Sequence, residues 1–228
     1  QLFRLKASLS AFCMAKNNIN GFVEQIMKNS LFLSQNFTMK PLLPLFIFLL
    51  PFNFGLAQEP YWQQEVNYKI DVTLDDFGHR LSGHIEMEYV NNSPDALTFI
   101  YLHLWGNAFK NRSTAFAEQQ LRMGNTEFYF AEEEKLGGYT NLNFMVNGES
   151  ARLAFDSLTP DVAKLYLPET LESGGRVTIA SPFTLDIPAS FSRLGHVGQS
   201  YQMTQWYPKP AVYDQDGWHP MAYLDLGE

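Results

Sequence analysis

The chain of 228 residues has little cysteine and little positive charge, and it lacks the compact motifs of common hydrolases. Its single cysteine is Cys13, so residues 58–228 contain none. Disulfide bonds and a thiol nucleophile are therefore excluded from that part of the chain. Neither H-E-x-x-H nor G-x-S-x-G occurs, and these motifs mark zinc hydrolases and serine hydrolases. From these absences alone we predict no catalytic residue and no metal ligand in this chain.

Acidic side chains outnumber basic ones over residues 58–228, which hold 23 Asp and Glu against 11 Lys and Arg. The net charge of that region is −12, whereas the whole chain carries −8 because residues 1–57 are basic. Such an acidic region repels phosphate groups. We therefore expect no nucleic-acid partner and no attraction to an anionic membrane through bulk charge.

Residues 39–57, "MKPLLPLFIFLLPFNFGLA", have the layout of a secretory signal peptide. A basic start is followed by an apolar run, and Gly55 and Ala57 supply the small residues expected before a cleavage point. The alternative is a short membrane-spanning helix, which the run is too short to form and its prolines would destabilise. We expect cleavage after Ala57 and an exported product that is periplasmic, attached to the cell surface or secreted.

Residues 1–38 precede this signal peptide, do not begin with Met and keep no sustained apolar period. We expect them to be a translated upstream leader with little order. The true start would then be Met39 or Met27.

From Gln58 onward, alternation of apolar and polar residues predicts strands. Residues 66–74 and 81–89 form a predicted antiparallel hairpin, and residues 114–123 one short helix, capped by Asn111 or Ser113. Four further strands are predicted, at 96–105, 141–148, 163–168 and 176–188, and another begins near Met221. We therefore predict an all-β fold for residues 58–228, with mainly antiparallel sheets in a saddle or sandwich.

The histidines do not form a convincing metal site. His79, His84 and Glu86 are close in sequence, but His84 and Glu86 fall on the polar face of a strand, where a solvated surface is expected. His103 lies in a strand covered on both faces, which favours a hydrogen-bonded core histidine. "YDQDGWH" (213–219) resembles the start of a calcium loop but lacks the third acid and the distal glutamate.

Five segments in order carry a family resemblance: "YKIDVTL", "LSGHIEMEY", "LTFIYLHLW", "FMVNGESARL" and "LYLPETLESGGRVTIASPFTLDIP". Together they resemble the N-terminal region of the aminopeptidase N family of zinc metallopeptidases, in the form common among exported bacterial enzymes. The resemblance implies a saddle-like β domain that packs on a catalytic domain of the same polypeptide. That domain would hold the zinc and hydrolyse N-terminal residues from a peptide substrate. The 228-residue chain, truncated before it, would be inactive and bind no zinc.

The resemblance also implies a substrate-binding role for part of "TQWYPKPAVYDQDGWHP" (204–220). In relatives, a "TQ" segment lines the pocket for the first substrate side chain, which here corresponds to Thr204 and Gln205. An acid follows two positions later in many relatives, whereas this chain has Tyr207, which weakens an amine-binding role. Alternatively, Trp206 and Tyr207 seal the domain edge. In a second hypothesis the chain is a stand-alone exported β-sandwich that binds glycan or protein through these aromatic residues.

Overall fold

The computed structural model describes residues 2–10, 61–156 and 159–226, and for residues 2–10 the backbone alone. The predicted signal peptide (residues 39–57) and leader residues 11–38 lie outside the described residues. Both assignments stay predictions.

The described residues form fifteen strands, one α-helix and two short 3₁₀ helices. In chain order the strands are β1 (Leu2–Ser10), β2 (Glu65–Asp75), β3 (Arg80–Val90), β4 (Leu97–His103), β5 (Gly138–Thr140), β6 (Met145–Val146), β7 (Glu149–Ser150), β8 (Leu153–Phe155), β9 (Val162–Leu171), β10 (Arg176–Asp186), β11 (Leu194–Val197), β12 (Ser200–Met203), β13 (Lys209–Pro210), β14 (Val212–Asp214) and β15 (Gly217–His219). The helices are Trp105–Phe109 (3₁₀), α1 (Ala115–Arg122) and Glu133–Lys135 (3₁₀). Every ladder between these strands is antiparallel.

The larger sheet has the strand order β1-β2-β3-β10-β6-β7, with β5 also paired to β10. Strands β2 and β3 form the predicted hairpin, in which Ile70 lies opposite Ile85. Strand β10 continues the sheet by pairing Ile179 with Met87. Because apolar residues alternate along these strands, the same face of each is buried.

The smaller sheet has the order β13-β4-β9-β8. Strand β4 is central and pairs Ile100 with Leu165 of β9. Two separate hairpins, β11–β12 and β14–β15, follow β10 in the chain.

One hydrophobic core is shared by both sheets. Ile85 and Phe183 come from the larger sheet and Ile100 and Leu165 from the smaller one, and all four belong to a single cluster of buried residues. The predicted all-β fold with antiparallel sheets and one short helix is confirmed.

Helix α1 begins at Ala115, one residue later than predicted. Thr114 is the N-cap, and its side-chain oxygen accepts a hydrogen bond from the N–H of Ala117. Asn111 and Ser113, the predicted caps, instead bond to each other in the preceding turn. No helix within the described ranges is long and apolar enough to cross a membrane.

Three predictions about strands need correction. Residues 141–148 contain only the two-residue strand β6, because Asn141 and Asn147 adopt left-handed backbone conformations that interrupt a strand. The hairpin β11–β12 lies where no strand was predicted.

The strand predicted to begin near Met221 is also absent from the described residues 221–226. The Tyr223 N–H donates to the Asp161 carboxylate (2.5 Å), and the Asp225 N–H donates to the Gln119 side chain (2.7 Å). Side chains thus satisfy the backbone groups that a strand partner would otherwise have bound.

Strand β1 covers the outer edge of β2 over nine residue pairs, from Leu2 opposite Asp75 to Ser10 opposite Asn67. Little order was expected for this part of the leader. Its sequence does alternate apolar and polar residues, which is the period of a strand.

Candidate functional site

The loop that carries the predicted site residues begins where the β11–β12 hairpin ends. Both the N–H and the hydroxyl of Thr204 donate to the carbonyl of Arg193, at 3.2 and 2.7 Å. The Thr204 side chain is exposed, yet its hydroxyl proton is engaged in the hydrogen bond to Arg193, which joins the two ends of the β11–β12 hairpin. Thr204 therefore fixes the start of the loop, and only the two lone pairs of its hydroxyl oxygen and its methyl group remain for a ligand.

Gln205 has a left-handed backbone, with φ of 55°. This conformation brings Cβ too close to the carbonyl oxygen and costs about 1–2 kcal/mol for most residues. Strained non-glycine residues of this kind cluster at binding and catalytic sites. The side chain is half-buried, and its Oε1 accepts a hydrogen bond from Lys209 Nζ.

The Lys209 contact decides which ligand chemistry Gln205 can serve. An ammonium group only donates, so the amide oxygen of Gln205 must be the atom that faces it. The positive charge of Lys209 then opposes a second cation at the same oxygen. The amide Nε2 makes no hydrogen bond to another described residue, so Gln205 is better placed to donate to a carbonyl than to hold an amine.

Tyr207 and Trp206 pack on the larger sheet. The Tyr207 ring meets Tyr68 of β2 edge to face, with centroids 5.4 Å apart, and meets Trp206 at the same distance. Trp206 lies 6.2 Å from Phe183, and its carbonyl accepts a hydrogen bond from the Tyr139 hydroxyl (2.5 Å). Both rings are half-buried, as expected if they seal the domain edge. Tyr207 thus presents only part of its surface to a ligand.

Lys209 joins the loop to Trp105, the first residue of the 3₁₀ helix Trp105–Phe109, and to His103 of strand β4. Its Nζ lies 4.0 Å from the centroid of Trp105, and the Trp105 ring stacks on His103 at 4.6 Å. Burial, together with the charge of Lys209, lowers the pKa of His103 to about 4, so this histidine is neutral near pH 7. A hydrogen bond with the backbone of His219 opposes that shift.

His103 is buried, as predicted, but its hydrogen bonding is incomplete. Its exposed fraction is 5%, and its Nε2 has no hydrogen-bond partner among the described residues. A buried ring nitrogen without a partner is unusual in a folded protein.

The aromatic residues of 204–220 do not form one platform. Trp206 and Tyr207 lie against the larger sheet, as described above. Tyr213 and Trp218 belong to the β14–β15 hairpin and stack on each other at 4.7 Å, and Trp218 contacts Phe99 and Tyr101 of strand β4 in the smaller sheet.

The histidines considered as metal ligands are placed in two different environments. His79 stacks on His196 with ring centroids 3.6 Å apart, and its Nδ1 hydrogen-bonds the Tyr201 hydroxyl (2.8 Å). Burial and then His196 lower the pKa of His79. His84 and Glu86 lie on β3, as expected. Within the described parts of the chain, no group of three His, Cys, Asp or Glu side chains could hold a metal ion.

The calcium-like stretch forms the tight turn of the β14–β15 hairpin. Asp214 Oδ1 accepts hydrogen bonds from the Asp216 N–H and from His219 Nε2, both at 2.9 Å. The His219 contact, followed by the Asp216 N–H, lowers the pKa of Asp214. Gly217 has φ of 100°, which completes the turn. This carboxylate therefore has a structural role within the hairpin.

Sequence reasoning missed Lys209 and Trp105 as parts of the site. They are about a hundred residues apart, and β13 brings them together by pairing Lys209 with His103. The "YPKP" segment placed a lysine between two prolines, but no period or motif indicated which ring it would meet.

No known family model matches the chain, and a search of curated proteins finds none that is similar to it.

Proposed function

We propose that residues 58–228 form the N-terminal β domain of an exported zinc aminopeptidase, a hydrolase that removes N-terminal residues from peptides. In this proposal the domain packs on the catalytic domain of the same polypeptide and helps line the substrate pocket. The antiparallel all-β fold is compatible with it. Fold alone does not determine function, so the proposal depends on the 204–209 loop.

The observation that carries the proposal is the conformation of Gln205. A left-handed glutamine is strained, and its side chain is held in one direction by Lys209. Glycine or asparagine would occupy such a backbone position at lower cost. The use of glutamine there points to a requirement for its amide group.

The surroundings refine the role that the family resemblance implies. Gln205 would donate from Nε2 to a peptide carbonyl, because Lys209 disfavours an amine at Oε1. Tyr207 would contribute part of its ring to the wall that meets an apolar side chain. Thr204 would hold the loop in place through Arg193.

Zinc in the parent enzyme would need ligands from elsewhere in the polypeptide. The described histidines and carboxylates form no group of three that fits the ion, whereas a catalytic zinc requires three protein ligands. The chain contributes no step of the hydrolysis in this proposal.

The proposal is tested by variants of the full-length parent enzyme. We expect Gln205→Ala to raise KM for an aminoacyl-p-nitroanilide about three- to tenfold, the size of one lost hydrogen bond. Gln215→Ala removes the same side chain from an exposed turn and should leave KM unchanged. Equal KM values for both variants and the wild type would contradict the pocket role.

A second candidate is a stand-alone exported module that binds glycan or protein. The observation in its favour is the set of half-buried rings around Tyr213 and Trp218. Such a module would fold and bind without a catalytic domain.

A further inference from the structure

The outer side of the smaller sheet carries aromatic residues instead of the polar ones usual on a solvated face. Phe99 and Tyr101 of β4 and Tyr166 of β9 alternate with buried residues and are only half-buried. Phe99 lies opposite Tyr166, and Tyr101 lies opposite Lys164. None of these four is part of the buried core cluster.

The β14–β15 hairpin extends this surface. Trp218 lies 6.1 Å from Phe99 and 5.8 Å from Tyr101, and Tyr213 stacks on Trp218. Trp62 adds a further ring 5.4 Å from Tyr213. We call the six rings the aromatic face: Trp62, Phe99, Tyr101, Tyr166, Tyr213 and Trp218.

Two cations lie on the aromatic face. Lys164 Nζ is 4.2 Å from the centroid of Phe99 and 5.0 Å from that of Tyr101. Arg152 Cζ is 3.7 Å from the centroid of Tyr166, and the Arg152 carbonyl accepts a hydrogen bond from the Tyr166 N–H (2.9 Å). These ring contacts hold both positive groups at the surface.

Neither cation forms an ion pair with any carboxylate of the described residues. Other exposed cations do: Arg122 pairs with Glu118, and Lys135 pairs with Glu132. In a region with a net charge of −12, Arg152 and Lys164 concentrate positive charge locally, because both lie within 6.0 Å of the centroid of the Tyr166 ring. Asp95, which accepts a hydrogen bond from Tyr213 (2.6 Å), is a carboxylate at the Tyr213 end of the face.

We propose that the aromatic face, with Arg152 and Lys164, is a binding surface for an acidic peptide segment of a protein partner. Trp, Tyr and Arg are the residues that contribute most to binding energy at protein interfaces. Charge complementarity would direct carboxylates to the two cations, while apolar parts of the segment contact the rings.

A peptide fits the surface better than a glycan. A sugar ring requires an open aromatic face, but Arg152 covers one face of Tyr166 and Lys164 covers one face of Phe99. Tyr213 likewise covers one face of Trp218. The side-chain carboxylates of a peptide, in contrast, bind by contacting the cations and the edges of the rings. The proposal does not depend on the peptidase function, since it uses neither Gln205 nor a catalytic domain.

The test measures binding of a fluorescein-labelled peptide of alternating glutamate and phenylalanine to the purified full chain by fluorescence anisotropy. We expect binding that weakens as salt is added. The matching peptide of glutamine and phenylalanine should bind about tenfold more weakly or not at all. Oligogalacturonate serves as the acidic glycan probe.

Paired variants separate the surface from bulk charge. The double variant Arg152→Gln/Lys164→Gln should weaken binding about tenfold. The control Arg122→Gln/Lys135→Gln changes the net charge equally and should bind like the wild type. Thermal unfolding of both variants verifies that each is folded. Equal losses in the two double variants, no binding of the acidic peptide, or tighter binding of oligogalacturonate would overturn the proposal.

Discussion

Gln205 has a left-handed backbone conformation that its side chain does not favour. Asn141 and Asn147 have similar φ values, but asparagine tolerates this region because its short side chain bonds locally. Gln205 has no such compensation and depends on Lys209 to hold its amide group. The strain is therefore local and removable.

Two substitutions separate the strain from the hydrogen bond. Gln205→Gly and Gln205→Ala both lose the contact with Lys209, but only glycine relieves the backbone. We expect the glycine variant to have a free energy of unfolding about 1–2 kcal/mol higher than the alanine variant. Urea unfolding measures the difference, and equal stabilities would show that Gln205 is not strained.

His103 gives the protein a defined dependence of stability on pH. Its pKa of about 4 in the folded state lies below the unfolded value of about 6.5. Between these values the unfolded chain binds more protons, so the free energy of unfolding falls as pH falls through that window. The contribution of His103 approaches a loss of about 3 kcal/mol below pH 4.

The measurement compares urea unfolding of the wild type and His103→Gln between neutral pH and pH 4. We expect the variant to lose less stability than the wild type over this range. His84→Gln removes an exposed histidine from β3 and should leave the wild-type pH dependence in place. Titration of His103 near its ordinary pKa in NMR spectra would contradict both the lowered pKa and this pH dependence.

At the scale of elements, α1 depends on its N-cap. The Thr114 hydroxyl accepts from the Ala117 N–H (3.2 Å) and donates to the Ala108 carbonyl (2.7 Å), and the side chain is fully buried. Thr114→Ala should therefore reduce the free energy of unfolding by about 1–2 kcal/mol. Ser113→Ala, next to it in an exposed turn, should change it by less than about 0.5 kcal/mol. Chemical denaturation followed by circular dichroism measures both changes. A larger loss of stability in Ser113→Ala than in Thr114→Ala would show that Ser113 is the cap.

The long strands were predictable because their length allows a period to be recognised. Strand β10 is buried at every second position of its eleven residues, and all of these positions except Ser181 are apolar. The β11–β12 hairpin was not predictable, since its strands have four residues each and Gly195 lies within the first of them. A strand of that length contains too few alternations to distinguish it from a loop.

The residues of the candidate site were named from the sequence, and their substrate-binding role stays a prediction. Thr204, Gln205 and Tyr207 came from a family resemblance, and the structure places them in one loop. Their setting was not predictable, because the contacts of Lys209 with Trp105 and of Tyr207 with Tyr68 join distant parts of the chain. The left-handed conformation of Gln205 also gives no signal in the sequence, since glutamine rarely adopts it.

At the scale of the whole molecule, the described residues have one core, shared by two antiparallel sheets, and two surfaces of interest. The Gln205 loop lies against the larger sheet, and the aromatic face covers the outer side of the smaller one. The two surfaces use different residues, so we expect substitutions at one to leave the other intact.

The peptidase proposal is tested most directly by the coding sequence that follows the codon for Glu228. We expect the reading frame to continue and to encode H-E-x-x-H within a few hundred codons, followed by a distal glutamate, as a zinc peptidase requires. A stop codon immediately after Glu228, or a continued frame without this motif, would contradict the proposal.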